Sequence, residues 1–219
     1  IRPYATIYPG DIYDSPLPAL VSELEKQVEI AIDQGLRAIK IPVLFGEHLS
    51  DKQLIPFVKK CREIVGDDIT LMLDFGYRWQ DWQDAAWLLK RLDDYDIYFA
   101  EAPLKHDNLK GHAKLAAVSP VRIGGAEFAT TRWECLEWLE KGGVSLLQPG
   151  VSRAGGFVEL MRISEICELH GASLIPHSYA TGITDTCNFH LQAASLTIPM
   201  VEFRSSRLSS SRLRTELVY

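Results

Sequence analysis

A parallel α/β barrel is the fold class this chain predicts, and three observations predict it. Short apolar runs alternate without a break with segments of helical periodicity over 219 residues, giving eight strands and seven intervening helices. Three acids, Asp74, Glu101 and Glu127, each follow an apolar run at the same point of a unit, 27 and 26 residues apart. That spacing is about one strand-plus-helix repeat, roughly 30 residues for a full crossover. Finally, no linker of Pro, Gly or Ser divides the chain, so residues 1–219 read as a single domain. An open doubly wound sheet is the competing architecture, and eight regular units weigh against it.

Residues 3–8 (PYATIY) form the first apolar run, and a turn rich in Pro, Gly and Asp follows. Residues 20–34 carry helical periodicity and stop at Gly35, a natural C-cap. The run 36–43 is the second strand. Residues 51–65 form a helix that Ser50 can cap and Gly66 ends. Residues 69–73 are the third strand, and 82–92 a helix with apolar residues at helical spacing. The fourth strand, 97–100, leads to a helix over 109–117. The fifth, 121–123, leads to a helix over 131–141 that Gly142 and Gly143 terminate. Residues 144–147 are the sixth strand, after which Gly155-Gly156 opens a helix over 158–170. Strand seven spans 172–175, the next helix 183–196 and strand eight 200–203. The Ser/Arg-rich stretch 205–214 reads as a short helix or a mobile tail.

Composition narrows the function. A net charge of −6 and a pI near 5.5 argue against a general nucleic-acid or polyanion binder. No apolar run approaches the roughly 18 residues a membrane span needs, and no signal peptide is visible. The four cysteines, Cys61, Cys135, Cys167 and Cys187, show no CxxC spacing and read as reduced core thiols. A cytoplasmic protein is the expectation.

In parallel barrels the chemistry sits at the C-terminal ends of the strands. There the sequence offers Lys40, Asp74, Glu101, Glu127, Gln148, His177 and Glu202. Any one acid could merely cap the next helix. Capping does not require three adjacent strands to agree. Three carboxylates side by side repel in a low-dielectric site, and a divalent cation is the simplest remedy; an all-oxygen set suits Mg²⁺. Lys40 lies between Ile39 and Ile41, which face the other way. It can pair with a carboxylate at the rim, serve as a base if its pKa is depressed, or hold a substrate carboxylate. His177 sits just past strand seven, where an imidazole shuttles protons near neutral pH unless it is only a structural hydrogen-bonder. Glu202 either pairs with Arg204 or a neighbouring strand, or takes part in the site. The other five histidines lack metal-ligand spacing and read as surface or core residues. Gly155-Gly156 could approach an anion closely, but no nucleotide pattern surrounds it.

The segments LMLDFGYRW, FAEAPLKHDN, IGGAEFATTRWECLEWLEKGGVSLLQPG, VSRAGGFVELMRIS, IPHSYATGI and VEF, in that order, span most of the chain. Together they resemble the barrel domain of the enolase superfamily, in its mandelate racemase and muconate lactonizing enzyme-like branch. The resemblance implies a modified (β/α)7β barrel, in agreement with the seven helices above. It implies that Asp74, Glu101 and Glu127 are Mg²⁺ ligands, that His177 is the catalytic histidine of strand seven and that Glu202 hydrogen-bonds the substrate carboxylate. Three departures stand out. The branch often carries Lys-x-Lys at the end of strand two, whereas this chain has Lys40-Ile41-Pro42, so the second lysine is missing. The aspartate that usually orients the histidine is replaced in Gln148-Pro149-Gly150. No segment corresponds to the family's N-terminal capping domain.

The expected activity is therefore Mg²⁺-dependent removal of the proton α to a carboxylate, as a lyase or isomerase on a small hydroxy acid. Dehydration of a sugar acid through an enediolate is the main reading, with His177 as base or acid, supported by Lys40 and by Glu202 if protonated. Racemisation, epimerisation or cycloisomerisation is the alternative, and a metal-binding but catalytically impaired relative is another. Substrate selection is expected from the turn between Pro9 and Pro18 and from a cap. An uncapped barrel would expose apolar rim and favour homo-oligomers.

Overall fold

The computed structural model describes residues 1–10, 15–44, 49–178 and 181–203. The middle of the Pro9 to Pro18 turn, His48, Arg204 and the 205–214 stretch lie outside the described residues. The chain alternates β1 (Pro3–Thr6), α1 (Leu17–Asp33), β2 (Ala38–Pro42), α2 (Asp51–Val65), β3 (Thr70–Asp74), α3 (Trp82–Leu89) and β4 (Ile97–Glu101). It continues through α4 (Leu109–Val118), β5 (Ile123–Gly125), α5 (Arg132–Glu140), β6 (Leu146–Leu147), α6 (Phe157–Leu169), β7 (Ser173–Leu174), α7 (Gly182–Ala194) and β8 (Val201–Phe203). The expected seven helices and eight strands are present among the described residues.

All ladders are parallel and run in the order β7-β6-β5-β4-β3-β2-β1-β8. β8 pairs with β1 in the register Tyr4 to Glu202, and across the β7–β8 seam Leu174 N–H donates to the Thr197 carbonyl at 3.0 Å. Tyr4, Ala38, Met72, Phe99, Leu146, Ile175 and Met200 meet in one buried cluster. Strands that share such an interior have curled into a barrel, filled as small barrels are by side chains. The alternate residues, such as Ile39, Ile41, Leu71 and Leu73, pack outward in a second core with Leu24, Val28, Phe57 and Val58 of the helices. β5 narrows this wall, because Gly124 and Gly125 put no side chain on either face. A Cβ on Gly124 would stand 2.6 Å from Gln148 Oε1, and one on Gly125 2.5 Å from the Trp138 ring.

Local chemistry explains the boundaries. Ser50 and Gln53 form a capping box at the start of α2, the Ser50 N–H donating to Gln53 Oε1 at 3.0 Å. α1 begins at Leu17, three residues earlier than the periodicity indicated, because Pro18 is well tolerated in a first helical turn that needs no N–H there. α3 stops at Leu89, short of the expected 92, and a 3₁₀ turn over Asp93–Tyr95 completes the connection. β6 and β7 contract to two residues each, since only those hold ladder register with their neighbours. At the N-terminal end of the strands, Arg62 of α2 donates to the carbonyls of Gly66, Ile69, Tyr95 and Asp96 at 2.8–2.9 Å. One guanidinium thereby ties the approach to β3 to the approach to β4.

Candidate active site

Toward the C-terminal ends of the strands the barrel interior turns from apolar to charged in a single step. Two residues beyond each member of the interior cluster comes a polar one: Thr6, Lys40, Asp74, Glu101, Gln148, His177 and Glu202. The two-residue period of a strand stacks each directly above an apolar partner. Glu127 arrives differently. Gly124 occupies that layer in β5, and Ala126, at φ 72°, turns the chain so that Glu127 enters from the loop. Ala102 (φ 45°) and Tyr77 (φ 64°) are also left-handed non-glycine residues just past β4 and β3. Such strained backbone clusters at functional sites.

Lys40 is the electrostatic hub, 2 % exposed, with Nζ 2.7 Å from Glu101 Oε2 and 3.1 Å from Glu202 Oε1. Burial alone would push its ammonium pKa down, but the two carboxylates outweigh it and hold it well above the usual lysine range. The depressed lysine base entertained from the sequence is thus corrected: Lys40 stays charged. Glu101 Oε2 also accepts from Gln148 Nε2 at 2.7 Å. Glu202 accepts from the Thr6 hydroxyl and from the Ser178 N–H at 2.7 Å. Burial would raise the Glu202 carboxyl, yet the Lys40 and His177 charges and these hydrogen bonds bring it to about 2. It is an ionised carboxylate, so the condition on which it could donate a proton is not met, and its partners lie on β1, β2 and just after β7.

His177 Nε2 lies 3.2 Å from Glu127 Oε2, and the Tyr77 hydroxyl donates to Glu127 Oε1. Burial and the adjacent Glu127 push the Tyr77 phenol up, so it remains a donor. A Cβ added to Gly150 would come within 3.9 Å of His177 Nδ1, so the missing carboxylate of the QPG segment belongs beside that nitrogen. Thr6, Lys40, Asp74, Glu127, His177 and Glu202 together line a cavity of about 300 Å³, with Tyr77, Phe128 and Arg153 on its wall. The structure therefore brings together the residues expected to act, with Glu101 and Gln148 joined to them through Lys40. Sequence reasoning missed Thr6, Tyr77, Ser178 and Arg153. The interior two-residue period could have found Thr6, and Gly76 was the signal for an unusual turn at Tyr77.

As they stand, no three acidic, histidine or cysteine side chains among the described residues converge on one ion-sized point. Each carboxylate has turned to a protein donor: Glu101 to Lys40 and Gln148, Glu127 to Tyr77, and Asp74 Oδ1 to the Gly76 N–H at 2.9 Å. In kind, however, the donors fit Mg²⁺. Asp74 and Glu101 face each other in register, and Glu101 faces Gly124 of the strand that leads to Glu127. Burial first, then Glu101 with Glu127 adding, holds the Asp74 carboxyl well above its usual range, against the pull of Lys40 and the Gly76 N–H. A buried carboxyl raised by two like neighbours is what an added cation would relieve.

Of the remaining histidines, His112 is a core residue, as the sequence reading had it. It is buried against Trp138, 4.6 Å between ring centroids, and burial pulls its pKa down to about 4. No helix of the described residues is long and apolar enough to cross a membrane.

Comparison with known proteins places this architecture. An arabinonate dehydratase of Saccharolobus solfataricus is 32% identical over 182 residues, 83% of this chain and 48% of that protein. A D-galactarolactone cycloisomerase of Agrobacterium fabrum is 30% identical over 167 residues, 76% of this chain and 43% of that protein. A crystal structure provisionally assigned as a racemase superimposes with a TM-score of 0.93 at 38% identity, covering 98% of this chain and 56% of the other. The chain spans about half the length of the curated relatives it matches. Residues 23–217 match the family model described as enolase C-terminal domain-like, and the chain belongs to that family within the enolase superfamily.

Proposed function

We propose that this barrel carries the active site of a Mg²⁺-dependent sugar-acid dehydratase acting on a small hydroxy-carboxylate. The observation that carries the reading is His177 poised beside Glu127 in the cavity that also holds Asp74, Lys40 and Glu202. The dehydratase and cycloisomerase relatives support the same chemistry. Asp74, Glu101 and Glu127 are the groups that would hold Mg²⁺, which when bound supplies Lewis-acid stabilisation of negative charge on the substrate carboxylate. His177 accepts the α-proton as the C–H bond breaks, and the electron pair delocalises into the carboxylate as an enediolate. The pair then forms the C=C bond as the β-hydroxyl leaves, taking a proton from the imidazolium to depart as water. Lys40, fixed in its charged form, lowers the cost of the developing anion without itself moving a proton. Glu202, held ionised by Thr6, Ser178 and Lys40, fixes the ammonium from the other side and orients substrate hydroxyls. The four unpaired thiols suit the reducing cytoplasm, which completes the proposal.

The test is turnover of a sugar-acid panel with Mg²⁺, followed by appearance of the 2-oxo product. His177→Asn is expected to lower kcat by about 10²- to 10⁴-fold, the range for losing a positioned acid–base group. Equal rates in the two proteins would remove the histidine from the mechanism. Gly150 favours a second reading, a metal-binding relative of low activity, because position 150 offers His177 Nδ1 no carboxylate. No turnover of any acid, with Mg²⁺ still bound, would select that reading.

A further inference from the structure

The cavity wall presents a cation that the chemistry above leaves unused. Lys40 is committed to Glu101 and Glu202 on the floor. Arg153, in the turn before α6, lines the same cavity. Its guanidinium carbon stands 4.6 Å from the Phe128 ring centroid, and among the described residues it has no carboxylate partner. Phe128 is 43% exposed and stacks on Tyr77, with centroids 5.6 Å apart and 24° between planes. His106 meets its edge at 5.5 Å. An aromatic platform of this kind restricts a guanidinium and leaves its planar fork of donors for a carboxylate. Asp74, Glu127 and Glu202 line the same cavity, so an anion at this wall needs a cation there.

Resting on the dehydratase reading, which puts the reacting carboxylate at the Asp74–Glu101–Glu127 end, we propose that Arg153 binds a second carboxylate at the far end of the substrate. The preferred substrate class is then the sugar diacids rather than the monoacids. Arg153 is a specificity-determining residue, and Phe128 is the surface that positions it.

Galactarate and galactonate test this, since they differ only in whether the terminal carbon is a carboxylate or a CH₂OH. Steady-state kcat/KM is measured for both with wild type, Arg153→Ala and Arg153→Lys. Equilibrium binding of both acids is measured by calorimetry in a His177→Asn background, with and without Arg153→Ala. The wild type is expected to favour the diacid, and Arg153→Ala to lower the diacid-to-monoacid ratio by roughly 10- to 100-fold, as for a lost charged hydrogen bond. That loss should fall mainly on KM and on affinity, and Arg153→Lys should restore part of it. Equal handling of the two acids, or an equal loss on both in Arg153→Ala, would overturn the assignment. Absence of turnover in wild type with diacid-selective, Arg153-dependent binding would sink the dehydratase reading while leaving Arg153 in its role. Absence of selective binding as well would sink both.

Discussion

At the N-terminal end of the strands a buried cation, Arg62, is held mainly by dipoles, four backbone carbonyls at 2.8–2.9 Å, with the charges of Asp96 and Asp67 adding to them. At the C-terminal end a buried cation, Lys40, is held by two full charges, with Asp74 and Glu127 close by. The first arrangement gives the guanidinium its partners within the protein. The second gathers more carboxylates than its one lysine can balance, and places them beside backbone strained at Tyr77, Ala102 and Ala126. The lesson is a division of labour: the end that satisfies its charges stabilises the barrel, and the end that leaves excess negative charge is open to a cation and its ligand.

The contrast is broken most forcefully at Lys40. Lys40→Met strands Glu101 and Glu202 without their cation and should cost about 3–5 kcal/mol, read from urea denaturation. Arg62→Met should cost less, because three of its four bonds are only part-buried and water can replace the guanidinium. A larger loss at Arg62 would reverse the comparison. Acid sharpens it next. Burial depresses His112 to about 4, so the unfolded chain takes up the proton first. The stability that comes from keeping this ring neutral is complete above pH 6.5 and is lost as pH falls to 4, about 3 kcal/mol in all. Glu202, depressed to about 2, adds a second loss that sets in only as pH falls below 4.5. Urea midpoints from pH 7.5 to 4 should flatten in His112→Phe and remain steep if another group is responsible. The smallest effect is at Asp74. Without Mg²⁺, Asp74→Asn should raise stability by removing a carboxyl held up by burial and two like charges, read from urea denaturation at about pH 7. With Mg²⁺ at about 100 times its Kd the wild type should gain about 2.7 kcal/mol and the variant much less. An unchanged melting temperature of the wild type on adding Mg²⁺ would count against the three carboxylates as its ligands.

Much of this was legible because it is periodic. The alternation of strand and helix gave the barrel, and the 27- and 26-residue spacings put Asp74, Glu101 and Glu127 at one end. Partnerships were not legible, because they are made by closing the barrel. Thr6 and Glu202 are 196 residues apart in sequence and become neighbours only when β8 pairs with β1. The same closure decides that Lys40 faces two carboxylates and stays charged, a fact of three strands that no window around residue 40 contains. Short-range propensity misjudged the ends of α1 and the lengths of β6 and β7, where prolines and ladder register override the apolar pattern.

The bare stave formed by Gly124 and Gly125 has an outcome for how this molecule can vary. A methyl group at 124 would evict the Gln148 amide and with it a donor to Glu101; one at 125 would wedge α5 away through Trp138. Saturation mutagenesis should therefore find two of the least permissive sites at residues that touch no ligand, their role being the thickness they withhold.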